Sequence, residues 1–294
     1  MQGAAPVDGA WARIGRALWP PRCLLCREPG AAGRDLCAAC AAALPWNRRA
    51  CARCALPLAG PGAAPPDCDA RAGAIADSPP PVGAGLARDP PPVVSVDEPP
   101  STTPDRAQGA LLREQGGAPA PVCGECLRRP PPLDAVCAAF VYGFPVDRLL
   151  PRLKFHGDLA AGRLLSAAMA AACAGMPRPE ALLPLPLARA RLRRRGYDQA
   201  LELARPLARA FGIPLLDGAL VRRRDTAPQS TLDAAARRRN LRGAFAVPAG
   251  VGLPAHLALV DDVMTTGATL HAAARALRRA GVARVDAWVC ARAP

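Results

Sequence analysis

Four pairs of cysteines with the spacing Cys-x-x-Cys constrain this chain more than any other feature of its sequence. The pairs have the sequences CLLC, CAAC, CARC and CGEC. A turn of this kind lets two thiolates reach one metal ion, and two such turns complete a tetrahedron of sulfur ligands around zinc. We therefore expect two zinc ions, both structural, because a site with four cysteines keeps no open position for catalysis. The candidate ligands are Cys23, Cys26, Cys37, Cys40, Cys51, Cys54, Cys123 and Cys126.

The sequence leaves the pairing of these turns open, since four turns can combine in three ways. Grouping neighbours is simplest: the first two turns would hold one zinc, and the last two the other. A redox role would require a pair that opens a helix of a thioredoxin-like unit, which we expect of none of the four. Disulfides would require an oxidising compartment. We expect a cytoplasmic protein without membrane insertion, because no apolar segment of signal length or of membrane-spanning length (roughly 18 residues) is present.

A stretch of low apolar periodicity interrupts the cysteine-rich region. Residues 56–121 are rich in Pro, Gly and Ala, so they can bury too little surface to offset the entropy of ordering them. We expect a disordered insertion there, with Cys68 inside it as a free thiol. The expected organisation is an N-terminal segment over residues 1–20, a zinc module with this insertion over residues 21–132, and a second domain over residues 133–294.

The second domain alternates short apolar strands with helices. The strands expected are AVCAAFVYG, ALLPLPL, LALVDDV and VARVDAWVCAR, with further short strands around Ile213–Leu216 and Gly243–Val247. Helices are expected in VDRLLPRLKF, where Pro151 should interrupt the helix, from Asp158 to Ala174, over YDQALELARPLARAF and from about Gly267 to Ala280. The alternation predicts an α/β fold with a mostly parallel sheet and helices on both faces. Cys137, Cys173 and Cys290 lie in its apolar segments and are expected in the core.

The segment LALVDDVMTTGATL is the strongest candidate for a ligand site. Its first half predicts a buried strand that ends in two aspartates, and its second half predicts the start of a helix. Open α/β sheets bind ligands at this junction. Successive backbone amides and hydroxyls suit one phosphate, and the carboxylates suit the hydroxyls of a sugar. The alternative to a ligand site is a strand followed by a capped helix, with the aspartates exposed to solvent. The candidate residues are Asp261, Asp262, Thr265, Thr266, Gly267, Ala268 and Thr269.

This segment resembles the 5-phosphoribosyl-1-diphosphate (PRPP) motif of type I phosphoribosyltransferases. With the cysteine pairs and the segments LKFHGD, LPLPLARARLRRRGYDQA and QSTLDAAARRRNLRGAF, the chain is similar to the ComF family. The resemblance covers nearly everything outside the first twenty residues and the insertion. It implies a double zinc ribbon followed by a type I phosphoribosyltransferase-like parallel sheet with flanking helices. It also implies a link to natural competence, the use of incoming single-stranded DNA, and contact with other competence proteins.

The resemblance implies roles for the candidate residues. Asp261 and Asp262 would hold the ribose hydroxyls of Mg²⁺-bound PRPP, and Thr265–Thr269 its 5′-phosphate. Thr265 stands where the hypoxanthine-guanine salvage enzymes usually carry an aspartate, so purine salvage loses support. The glutamine amidotransferase branch is excluded because no cysteine follows Met1. The acceptor, and whether the protein is a catalyst at all, stay open.

A second set of residues could meet pyrophosphate or a nucleic-acid backbone, because guanidinium groups suit phosphate geometry. Several of these residues lie, with Arg191, in the basic segment ARARLRRR. The alternative is that this segment is only a solvated turn. An aromatic-Asn-Gln motif of the family is matched by Tyr197, Asp198 and Gln199, with Asp198 in place of Asn. Gln229 and Arg237 lie, with Asn240, in a segment that would close over PRPP. The candidates are Arg189, Arg193, Arg194, Arg195, Gln229, Arg237 and Lys154, the single lysine of the chain.

Charge is distributed unevenly along the chain. Residues 151–294 hold 23 basic and 10 acidic side chains, against 15 and 14 in residues 1–150. A polyanionic partner such as single-stranded DNA is one explanation, and a compositional preference for arginine is the other. Aromatic residues make up 4%, which favours contacts to the DNA backbone over extended base stacking. Two functions therefore remain: a phosphoribosyl transferase, or a non-catalytic protein that senses PRPP and binds single-stranded DNA.

Overall fold

The structure is a computed structural model that describes residues 21–31, 34–58, 120–223 and 243–294, without the side chains of His156 and Arg189. The expected N-terminal segment and nearly all of the expected insertion lie outside these residues. So do Cys68, Gln229, Arg237 and Asn240.

Strands and helices alternate through the C-terminal part, as the sequence predicts. The strands among the described residues are β1 (Val136–Val141), β2 (Ala181–Pro184), β3 (Val221–Arg222), β4 (Phe245–Ala246), β5 (His256–Met264) and β6 (Arg284–Arg292). Four of them form a parallel sheet with the order β1-β6-β5-β2, and β3 pairs antiparallel with β4. The expected α/β fold class is confirmed.

Helices cover both faces of this sheet. The described helices are α1 (Ala38–Ala42), α2 (Gly124–Arg128), α3 (Val146–His156), α4 (Leu159–Cys173), α5 (Arg189–Arg195), α6 (Gln199–Phe211) and α7 (Ala268–Arg279). Alternate residues of β5 face opposite sides: Leu257 and Leu259 pack with α7, whereas Ala258 and Val260 pack with α4 and α6. Both faces are therefore apolar, as expected for a parallel sheet. None of the described helices has the length and apolar character needed to cross a membrane.

Two helices differ from the sequence-based expectation. Helix α3 continues through Pro151 without interruption. Leu149, Leu150 and Leu153 on this helix are at most 1% exposed, so burial of its apolar side outweighs the hydrogen bond that proline removes. Helix α5 was not expected, because its sequence RARLRRR has no apolar periodicity. It ends at Gly196, whose positive φ of 79° is typical of a residue that closes a helix.

The cysteine-rich region packs against the edge of the sheet. Residues beside Trp46 pair with β1: the amide of Asn47 donates to the carbonyl of Ala139, and the amide of Val141 donates to that of Pro45. The outer edge of β1 is thereby covered, which protects it from pairing with another chain. Cys137, Cys173 and Cys290 are buried, which confirms their expected place in the core.

Candidate functional site

The eight paired cysteines form two clusters of four thiols. Neighbouring turns come together, as the simplest pairing predicts. The first cluster contains Cys23, Cys26, Cys37 and Cys40, and the second contains Cys51, Cys54, Cys123 and Cys126. Two of the turns open short helices of five residues each: Cys37 precedes α1 and Cys123 precedes α2. Each nevertheless belongs to a four-thiol cluster, so a metal site fits better than a redox pair.

The geometry of both clusters fits zinc. The sulfur atoms of each cluster lie within 4.8 Å of one another. Across the two turns, the sulfurs of Cys26 and Cys37 are 3.6 Å apart, and those of Cys54 and Cys123 are 3.7 Å apart. A tetrahedron with zinc–sulfur bonds of about 2.3 Å has edges of about 3.8 Å. Burial raises the pKa of Cys51, but amide donors including that of Cys123 outweigh it and lower the pKa to about 7, whereas burial raises the pKa of Cys54 in the same cluster to about 11.

A cleft of about 410 Å³ lies at the carboxyl ends of the parallel strands. Each strand of the sheet contributes to it where the strand ends: Tyr142 after β1, Leu185–Leu187 after β2, Asp261–Val263 near the end of β5, and Ala293 after β6. Parallel strands bring these residues to one edge, which is where open α/β sheets bind ligands.

Both predicted aspartates line this cleft, although they do not end their strand. Strand β5 runs on to Met264, and Asp261 pairs in register with Val289 of β6. Burial and the neighbouring charge of Asp262 raise the pKa of Asp261 well above its ordinary value. Two neighbouring carboxyl groups resist carrying two full negative charges. The site therefore favours a ligand that donates hydrogen bonds to them, or a cation.

The single lysine of the chain meets this pair. Nζ of Lys154 lies 3.0 Å from Oδ2 of Asp262, and both side chains are mostly buried. Lys154 projects from α3 and lines the same cleft. The sequence made Lys154 a candidate for phosphate binding, and the structure places its ammonium group against the Asp262 carboxylate at the cleft wall.

The predicted phosphate loop forms the turn between β5 and α7. Thr265 and Thr269 line the cleft, while Thr266 accepts a hydrogen bond from the amide of Ala268. Gly267 is buried and has a φ of 73°. A β-carbon there would lie 2.5 Å from Cε of Met264, so the turn requires glycine for reasons of packing as well as backbone conformation.

The basic segment divides into two groups. Arg191 and Arg195 line the cleft, whereas Arg193 and Arg194 are exposed on α5 and do not line it. The guanidinium of Arg195 lies over the ring of Phe155 and also donates to Gln199. The structure therefore brings the aspartates, the hydroxyl loop and two arginines of this segment into one cleft, which Arg222 also lines.

Asp198 and Tyr142 have positions that the sequence did not indicate. Asp198 caps α6 and accepts a hydrogen bond from the amide of Leu187, so it shapes the strand-to-helix loop at the cleft wall. Tyr142 directly follows β1, and the rule that ligands meet the carboxyl ends of parallel strands would have found it.

Comparisons with known proteins agree with this architecture. The double zinc ribbon domain family matches residues 14–70, and the phosphoribosyl transferase domain family matches residues 198–294. The chain is 38% identical over 183 residues to DNA utilization protein YhgH of Salmonella typhi, which covers 60% of this chain and 80% of that protein. It is 37% identical over 179 residues to competence protein F of Haemophilus influenzae, covering 58% and 78%. Competence protein ComFC of Streptococcus pneumoniae is more distant, with 26% identity over 151 residues, covering 51% and 65%.

The fold and its clusters thus define a zinc-ribbon protein that carries a phosphoribosyltransferase domain. The zinc ribbon match and the two four-cysteine clusters indicate two zinc ions, and the second cluster is completed by Cys123 and Cys126, beyond the end of that match. The chain belongs to the ComF family, together with competence protein F and DNA utilization protein YhgH.

Proposed function

We propose that the cleft binds PRPP together with Mg²⁺. The ribose hydroxyls would donate to Asp261 and Asp262, and the loop Thr265–Thr269 would hold the 5′-phosphate. The diphosphate would lie toward Arg191 and Arg195. One observation carries this proposal: a carboxylate pair, a hydroxyl-rich turn and guanidinium groups line a single cleft at the carboxyl ends of four parallel strands.

Transfer of the phosphoribosyl group would need little covalent chemistry from the protein. A nucleophilic acceptor would form a bond to C1 of the ribose as the bond from C1 to the diphosphate oxygen breaks. Positive charge on the ribose and negative charge on the leaving diphosphate would develop together, so the protein acts by positioning and electrostatics. Mg²⁺ bound with PRPP would neutralise part of the diphosphate charge. Arg191 and Arg195 line the cleft together with Arg222 and Lys154, and they would donate to the diphosphate oxygens.

Calorimetric titration with Mg-PRPP tests binding. Asp261→Asn combined with Asp262→Asn keeps the shape and removes the charge, and should weaken binding about tenfold or more, since a charged hydrogen bond contributes about 1.5–3 kcal/mol. Asp217→Asn is the matched control, because Asp217 is exposed and does not line this cleft. Wild-type affinity in the double variant would place PRPP elsewhere.

Release of pyrophosphate tests catalysis separately. The zinc-loaded protein is incubated with Mg-PRPP and a panel of purine and pyrimidine bases, and pyrophosphate is measured. A base-dependent rate that disappears in the double aspartate variant would support a transferase. Tight PRPP binding without pyrophosphate release with any base would favour a non-catalytic protein that senses PRPP and does not consume it.

A second function, binding of single-stranded DNA, is favoured by the surface beside the cleft. Arg193 and Arg194 are exposed on α5, and the ring of Phe155 is 66% exposed with the Arg195 guanidinium against it. Cations beside an exposed ring suit phosphates and a stacked base. Relatives of this chain are named for competence and for DNA utilization, so we propose the same process for this protein.

Binding of single-stranded DNA should depend steeply on salt, because neutralised phosphates release counterions at a log–log slope of about −0.7 per contact. Arg193→Ala with Arg194→Ala should flatten the slope by about 1.4. Arg128→Ala with Arg129→Ala, another adjacent exposed pair, serves as the control and should leave it unchanged. Equal effects of both double variants would mean that only total charge matters.

A further inference from the structure

A nearly buried arginine lies outside the cleft, between the second cysteine cluster and the phosphate loop. Arg292 is the last residue of β6, and 9% of it is exposed. Nε donates to the carbonyl of Cys54 at 3.0 Å, and Nη1 donates to the carbonyl of Met264 at 3.3 Å. A buried charge is costly unless it is paired or hydrogen-bonded. These two bonds explain why the chain tolerates the charge, and they join two regions that are far apart in sequence.

One end of this connection is the second cluster. Cys54 contributes a thiol to that cluster and its carbonyl to Arg292. Zinc held by four thiolates leaves a net negative charge, which a neighbouring guanidinium would offset in part. Closing the tetrahedron would fix the Cys54 turn, and with it the carbonyl that Arg292 meets.

The other end is the base of the phosphate loop. Met264 directly precedes Thr265, and its carbonyl also accepts a hydrogen bond from the amide of Ala293. Its methyl group occupies the space beside Gly267, where a β-carbon would lie 2.5 Å from it. A displacement of Met264 therefore changes both the start of the loop and the packing of its central glycine.

The first cluster is connected to a different part of the cleft. Nη1 of Arg152 donates to the carbonyl of Leu24, which lies between Cys23 and Cys26. Arg152 is on α3, the helix that carries Lys154. The two clusters can therefore be told apart by which part of the cleft responds when each is lost.

We propose that Arg292 is a positioning residue that couples the second cysteine cluster to the phosphate loop, so that zinc in this cluster preorganises the loop for phosphate. The identity of the ligand as PRPP rests on the function proposed above, whereas the coupling between the cluster and the loop is a property of the protein alone. Preorganisation strengthens binding by removing the ordering that the ligand would otherwise impose. Loss of the second zinc should loosen residues 264–270, and loss of the first should not.

The test is hydrogen exchange of residues 264–270, measured with zinc content and Mg-PRPP affinity. Arg292→Met should keep both zinc ions, speed exchange in this segment, and weaken PRPP binding by roughly three- to thirtyfold. Arg279→Met, an exposed arginine on the last turn of α7, is the matched control and should change none of these. Cys54→Ser should speed exchange in the segment, and Cys26→Ser should leave it slow.

The outcomes separate this proposal from the proposed function. Faster exchange in Arg292→Met without PRPP binding by the wild type would support the coupling and refute the ligand. Unchanged exchange in Arg292→Met, or equal acceleration by Cys26→Ser and Cys54→Ser, would overturn the coupling. If Arg292→Met does not fold, Arg292→Lys keeps the charge but cannot donate to both carbonyls, and slow exchange in that variant would equally overturn it.

Discussion

Replacement of Gly267 by alanine tests whether the phosphate loop is held by packing as well as by backbone conformation. The residue has a φ of 73°, and a β-carbon would lie 2.5 Å from Cε of Met264 and 3.0 Å from Nε2 of His271. The left-handed conformation costs a non-glycine residue about 1–2 kcal/mol. Crowding in a packed site adds about 1–3 kcal/mol, because Met264 is itself 2% exposed and has little room to move. The free energy of unfolding should therefore fall by about 2–5 kcal/mol.

Gly196→Ala provides the matched control for this variant. Gly196 has a φ of 79°, but a β-carbon there would meet nothing within 4 Å. The free energy of unfolding of Gly196→Ala should fall only by the backbone cost of about 1–2 kcal/mol. Urea unfolding of the zinc-loaded protein measures both, and Met264→Leu should bring the Gly267→Ala loss closer to that of Gly196→Ala. Equal losses at the two glycines would refute the packing account.

Three further predictions concern the metal, the insertion and a partly buried histidine. Purified protein should contain two zinc ions, and Cys68→Ser should keep both; loss of one would assign Cys68 to a cluster. Deletion of residues 60–118 should leave the melting temperature and zinc content unchanged, since their composition offers little apolar surface to bury, whereas aggregation or zinc loss would show a structural role. Burial, with the charges of Arg275 and Arg292, lowers the pKa of His271 to about 4. The unfolded chain therefore takes up this proton first, and the free energy of unfolding should fall by up to about 3 kcal/mol as the pH drops from about 6.5 to about 4. The fall should be smaller in His271→Gln, and identical pH profiles of the two proteins would contradict the shift.

Local pattern was sufficient to predict the strand and the helix on either side of the phosphate loop. The run of apolar residues before Asp261 indicated β5, and the hydroxyl-rich segment after it indicated the start of α7. The neighbour pairing of the four cysteine turns was also correct, because loops grow costly only slowly with length. These features depend on residues close together in sequence or on the simplest grouping of them.

Contacts between distant residues could not be predicted in the same way. Nothing near Lys154 indicates that it meets Asp262, and nothing near Arg292 indicates Cys54. Helix α5 was missed because arginines dominate its sequence, so its apolar pattern is too weak to predict a helix. In each case tertiary packing determines the arrangement, and the periodicity of the sequence does not indicate it.

A crystal structure of the zinc-loaded protein with Mg-PRPP is the most direct test of the central proposal. The ribose hydroxyls should lie within hydrogen-bond distance of the Asp261 and Asp262 carboxylates. The 5′-phosphate should occupy the turn Thr265–Thr269, with the diphosphate toward Arg191 and Arg195. PRPP bound away from the carboxyl ends of the parallel strands, or a cleft left without PRPP at saturating concentration, would contradict the proposed site.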